Sequence, residues 1–250
     1  MKGPPTCVSS SRSAPEHGVK PRQPLLALAG LALRLTLRRW QLYLTAVLVA
    51  FALQVALALV FHVPHALELG SSIAIPLVVA LVYAFVSADA AETPVPESLT
   101  WERFLERAWA VIVIDVLLNR LTLAALDYST SSNPLELIGG LLAFTFVMLT
   151  VFADTSATLD DDVTVWTVIP RAVLRSIATS WNSVTFVRAL AIFSAELLTV
   201  PVQSVLYVAM THFGVPQALF WSQIPLATFV TPPLAAITAV VYRDATGVLR

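Results

Sequence analysis

The sequence predicts an all-α integral membrane protein: six transmembrane helices as three hairpins, with amphipathic interfacial helices on the cytoplasmic face. Three observations predict it. Of the 250 residues, 57% are apolar and only 12% are charged, about half the charge of a soluble domain, and mean hydropathy is +0.78. Six continuous apolar stretches each approach the length of about 20 residues that crosses a hydrocarbon core. The fifteen basic residues avoid every loop assigned to the outer face. Barrel strands would give short alternating segments instead, and lipid tolerates no third kind of span.

Residues 1–22 carry Pro4, Pro5, Pro15, Pro21 and several serines without apolar periodicity. They read as a disordered cytoplasmic tail, leaving 23–247 as one six-helix domain. Residues 24–40 are Leu-rich but interrupted by Arg34 and followed by Arg38, Arg39 and Trp40. Too short to span with those charges, they read as an interfacial helix, either lying on the membrane or extending the first span. A cleavable signal peptide would require a small-residue site after the apolar run, and the next segment is itself spanning.

The expected spans are 41–63, 72–91, 107–126, 135–153, 184–210 and 217–242. Pro201 falls inside the fifth and Pro225, Pro232 and Pro233 inside the sixth. Each removes a backbone donor, so bending is expected there. Gly139 and Gly140 in the fourth allow close helix contact. A second amphipathic helix is expected over 165–181, with Arg171 and Arg175 on one face and Trp166, Ile169, Val173 and Ile177 on another. With Trp181, these residues suit an interface with anionic headgroups.

Loops 64–71, 127–134 and 211–216 hold no Lys or Arg, and only Arg120 lies deep within a span. The positive-inside rule then places both termini in the cytoplasm. Trp40, Trp101, Trp109, Trp166 and Trp181 all fall near the inner boundary, as an aromatic belt requires. Net charge is −1 and the basic residues form no nucleic-acid face. The single cysteine, Cys7, excludes an intramolecular disulfide and reads as an incidental thiol in the tail.

The inner edges repeat. Arg39-Trp40, Arg107-Ala108-Trp109 and Ser180-Trp181 open the odd-numbered spans, and "SADA", "FADT" and "YRDA" close the even ones at Asp89, Asp154 and Asp244. A unit of entry helix plus helical hairpin, used three times, accounts for both sets. Three longer segments add to this: "LALRLTLRRWQLYLTAVL", "VIPRAVLRSIATSWNSVTFVRAL" with its Arg175-Ser176 pair, and "TPPLAAITAVVYRDATG" with Tyr242 and Asp244. On these the chain resembles a broad bacterial family of six-helix membrane proteins related to the membrane domain of glycerophosphodiester phosphodiesterases. The strongly basic tail usual after the final Tyr-x-Asp is missing. The resemblance implies the architecture and a bacterial inner-membrane location, and it brings no catalytic residue.

Ionisable groups inside spans are costly and mark candidate sites. Asp115, Arg120 and Glu196 are the candidates. Counted from the span starts, Arg120 and Glu196 each lie about 18–20 Å in, Asp115 about 12 Å and Arg188 about 6 Å. An Arg120–Glu196 pair, with Asp115 reaching Arg188 or Asn119, neutralises them as a structural register lock. The functional reading is a proton or ion relay.

His62, His65 and Glu68 cluster without a further local ligand, with His212 expected on the same side, and Asp160, Asp161 and Asp162 lack the oxygen-rich pattern of a calcium loop. Neither group predicts a metal. No Walker loop, nucleophile elbow or zinc-protease motif is present, and no cofactor is implied. The expected function is a non-catalytic membrane component that organises lipid or a protein partner, with a small transporter or channel as the alternative.

Overall fold

The computed structural model describes residues 23–61, 66–91, 95–129, 133–159 and 167–247, excepting the side chains of 57, 58, 61 and 66–72. Among them every regular element is an α-helix. The expected tail and Cys7, the His62–His65 pair, the Glu68 side chain, Asp160–Asp162 and Trp166 lie outside the described residues.

Helix α1 (Leu25–Arg38) buries Leu28, Ala32 and Thr36, a single stripe four residues apart, and packs mainly along the last helix of the chain. It does not extend the next helix. At Arg39 the chain turns by 69° into α2 (Trp40–Phe61).

Helix α3 (Ala66–Asp89) is the hub. Every residue from Val78 to Ser87 is buried, and α1, α2 and four later helices pack around it. A helix apolar on all sides belongs in a protein core or in lipid; here the protein covers it. The expected second span thus lies on a helix sheathed by its neighbours.

Helix α4 (Glu97–Ser129) has 33 residues, roughly 50 Å at 1.5 Å each, and starts ten residues before the expected span. It packs along α5 (Pro134–Leu149), whose first turn is capped by Asn133 Oδ1 accepting from the Leu135 N–H at 3.1 Å. Gly140 is the contact point. A Cβ there would meet Ala125 O at 3.1 Å and Tyr128 Cβ at 3.2 Å, whereas nothing approaches Gly139. Of the two glycines, only Gly140 needs to be small.

After α5 the helix loosens for three residues and resumes as α6 (Ala153–Leu159). The break frees the Leu149 carbonyl and the Phe152 N–H, and one side chain takes both. Ser176 Oγ donates to Leu149 O at 2.9 Å and accepts from Phe152 N at 3.0 Å. Buried backbone groups require such partners. Ser176 sits on α7 (Val168–Ser180), which buries Val168, Ala172, Ser176 and Ser180. The innermost stripe of α7 is therefore made of small residues, one position before the expected Ile169, Val173 and Ile177, because small side chains let α7 lie against the α5–α6 break.

Asn182 caps α8 (Ser183–Leu197). Leu198 interrupts before α9 (Thr199–His212), where Pro201 cannot donate to the Leu197 carbonyl. Helix α10 (Ala218–Phe229) follows a left-handed Gln217 (φ 57) and meets α11 (Thr231–Thr246) at 46°. Pro232 and Pro233 leave the Thr228 and Phe229 carbonyls without helical donors, so the bend falls at Val230 as the proline pattern predicts.

Among the described residues, three helical stretches are long and apolar enough to cross a membrane: Glu97–Ser129, Pro134–Leu159 and Ser183–His212. There are five if each bent pair, α1 with α2 and α10 with α11, counts as one, and Ile73–Asp89 is a shorter apolar helix. Their outer surfaces are apolar and uncovered. Leu141, Leu142, Leu190, Val205 and Val208 are exposed, and α9 buries no residue at all. A water-soluble protein rarely leaves so much apolar surface open.

Candidate functional site

Two arginines tie helix ends to their neighbours through carboxylates. At the α1–α2 bend, Arg39 faces the C-terminus of α3. Its Nε donates to Asp89 Oδ2 at 2.6 Å and its Nη2 to Oδ1 at 2.9 Å, the two-pronged geometry a guanidinium makes with a carboxylate. Nη1 reaches Glu97 at 2.9 Å, and the guanidinium carbon stands 4.9 Å from the centre of the Phe85 ring. The Asp89 hydrogen bonds, with Glu97 adding to them, push the Arg39 pKa further up against the opposing effect of burial. The charge is fixed.

The second arginine is Arg188 on α8. Nη1 donates to Asp244 Oδ2 at 2.5 Å and Nη2 to the Gln23 carbonyl at 2.5 Å. The side chains are only 6% and 9% exposed. One guanidinium thus joins α8, the end of α11 and the residue leading into α1. Beside it, Arg243 donates to the Ser87 carbonyl at the end of α3.

These pairs correct the expected pairing. Arg188 is taken by Asp244, which α11 carries alongside α8, so it does not serve Asp115. Arg120 is exposed on α4, as is Asn119, and among the described residues no ion pair joins Arg120 to Glu196. Arg120 is exposed, while Asp115, five residues earlier on α4, is half-buried. The signal for the true pairs was present in the repeated Asp at the even-span ends. Arg39 and Asp89 are 50 residues apart, and Arg188 and Asp244 are 56 apart, each pair inside one repeat unit.

The middle unit breaks the pattern. Asp154, the third repeated aspartate, has a buried Oδ1 without a hydrogen-bond partner. Among the described residues the charges acting on it are those of two more carboxylates, Asp115 on α4 and Glu196 on α8. The buried Tyr83 of α3 lies within the field of all three and beside Thr155. Thr155 is fully buried, and its Oγ1 makes no hydrogen bond of normal geometry. Of the sequence candidates, Asp115 and Glu196 are half-buried and Arg120 is exposed. The fold adds Asp154, which the sequence placed only at a helix end.

The lipid-interface candidates lie on and after α7. Arg171 is exposed and Arg175 half-buried, both with polar partners, and Trp181 is 75% exposed. His212 is exposed on the last turn of α9, its ring 5.7 Å from that of Phe213. Among the described residues no three His, Cys, Asp or Glu side chains are placed to hold a metal ion.

Fold and site together define an all-helical protein with several helices fit to cross a membrane, its helix ends tied by buried arginine–carboxylate pairs. Comparison with protein families, with characterised proteins and with solved structures finds no match to this chain.

Proposed function

We propose that the chain is a multi-pass protein of the bacterial inner membrane, with six spans paired as three hairpins and both termini cytoplasmic. In this reading it is a non-catalytic component that organises anionic lipid along the cytoplasmic face. The observation that carries the proposal is the double-faced α1. One stripe is packed on the protein, while Leu26, Leu33 and Leu37 are exposed beside the exposed Arg34 and Arg38. A helix turned 69° from its successor suits a position along the headgroups while the next helix crosses. The resemblance carried by residues 31–48, 168–190 and 231–247 supports the same architecture.

Each basic residue near an anionic surface contributes about 1 kcal/mol of attraction. The parent protein should therefore melt higher in phosphatidylglycerol nanodiscs than in phosphatidylcholine ones. Arg34→Gln with Arg38→Gln should remove most of that difference. Equal melting of the parent in both lipids overturns the proposal.

A second reading, a small secondary transporter or channel using Asp115, Arg120 and Glu196, is favoured by one observation. Arg120 makes no ion pair with Glu196 among the described residues, so Glu196 is not explained as half of a register lock. Proteoliposomes should then show an ion flux that Asp115→Asn abolishes; a flux unchanged by that substitution removes this reading.

A further inference from the structure

We propose that the three repeat units close into a ring and that α1 is its strap, able to lift from α11 while the rest of the bundle stays folded. Equivalent positions of the units meet at the centre. Ser87, Phe152 and Tyr242 each stand two residues before a repeated aspartate, and all three are buried. The Phe152 and Tyr242 rings lie 5.8 Å apart, and Arg243, next to Tyr242, donates to the Ser87 carbonyl. Helices α3, α6 and α11, which carry these residues or follow directly on them, all pack on one another, so the three unit ends surround one axis.

Around that axis, each entry segment packs on the last helix of the unit before it. The first turns of α4 meet α3, with Trp101 edge-on to Phe85 at 5.2 Å. Helix α7 meets α6, and Ser176 holds the backbone of the break ahead of it. Helix α1 meets α11, at the end of the third unit. That last contact turns a row of units into a ring. Residues from opposite ends of the fold come together there, since one Arg188 guanidinium takes both the Gln23 carbonyl and the Asp244 carboxylate at 2.5 Å.

The three contacts are not equally fixed. The entry turns of α4 belong to an unbroken helix of 33 residues. Helix α7 is tethered at both ends, to α6 through residues 160–167 and to α8 through Trp181 and Asn182. Helix α1 joins α2 through the bend at Arg39, but residues 39–230 separate it from the α11 on which it lies. It buries only Leu28, Ala32 and Thr36, with Leu25, Leu31 and Leu35 half-buried beside them. Thr36 Oγ1 donates back to the Ala32 carbonyl at 2.9 Å, so this stripe grips α11 by apolar contact. The Gln23–Arg188 hydrogen bond latches the far end. A segment with few buried apolar contacts opens locally before the whole molecule unfolds.

The ring does not depend on lipid, so the nanodisc comparison can fail while the strap stands. The test is hydrogen–deuterium exchange of the full chain in a neutral detergent, read by mass spectrometry. Amides of residues 29–38 should exchange together, at least about tenfold faster than those of 172–180 or 78–87. Ala32→Glu puts a charge into the buried stripe and should speed exchange over 29–38 while leaving 78–87 unchanged. Arg188→Lys keeps a cation for Asp244 but lacks the fork that also reaches Gln23, and it should release the same segment. Exchange of 29–38 as slow as that of 78–87 in the parent overturns the proposal. So does a folded Ala32→Glu protein in which both segments speed up equally. Should Ala32→Glu not fold, Arg188→Lys must speed 29–38 ahead of 78–87 for the strap to stand.

Discussion

Replacing Arg188 with methionine is expected to destabilise the protein by about 3–5 kcal/mol, the cost of stripping one partner from a buried ion pair. Asp244 would keep its charge in a place only 9% exposed, and the Gln23 carbonyl would lose its donor. Asp244→Leu alone should cost a similar amount, leaving the guanidinium unpaired. The double change Arg188→Met with Asp244→Leu should recover most of the loss, because two apolar side chains of similar bulk replace a pair whose desolvation nearly cancels its attraction. Thermal unfolding in detergent measures this as a cycle. Singles that melt like the parent would show that the pair is not structural.

The next largest effect is expected at Arg39, and there a conservative change is the more informative one. Arg39→Lys keeps the positive charge but cannot make the two-pronged contact with Asp89. It should cost about 2 kcal/mol, within the range for hydrogen bonds to charged groups. Glu97→Gln, at the exposed end of the same cluster, should change stability by less than about 1 kcal/mol. The contrast separates geometry from charge. If Arg39→Lys melts like the parent, the bend between α1 and α2 is held by charge and apolar packing alone.

Local chemistry made much of the fold legible. Pro232 and Pro233 announce a bend in the last apolar stretch, and it falls at Val230. The burial of α3 was not legible: a helix apolar on all sides reads the same whether lipid or protein surrounds it. The ion pairs were half legible. The repeated aspartates were visible in sequence, but their arginines lie 50 and 56 residues away, and depth along a span does not fix the direction in which a side chain points. That is why Arg120 was paired with Glu196 on depth and is found on the outside. Asp154 was overlooked because a charge at a helix end needs no explanation until its neighbours are known.

The enclosure of α3 has a consequence for how the molecule is made. Its wrapping helices α4, α6, α10 and α11 all come later in the chain, the last beginning at Thr231. During synthesis the hub therefore emerges beside little more than α2. In a bilayer, lipid tails solvate it as well as protein does, so nothing forces early enclosure. Under the proposed membrane location, the central helix would wait as an ordinary lipid-facing segment until the last-made helix completes the middle of the protein.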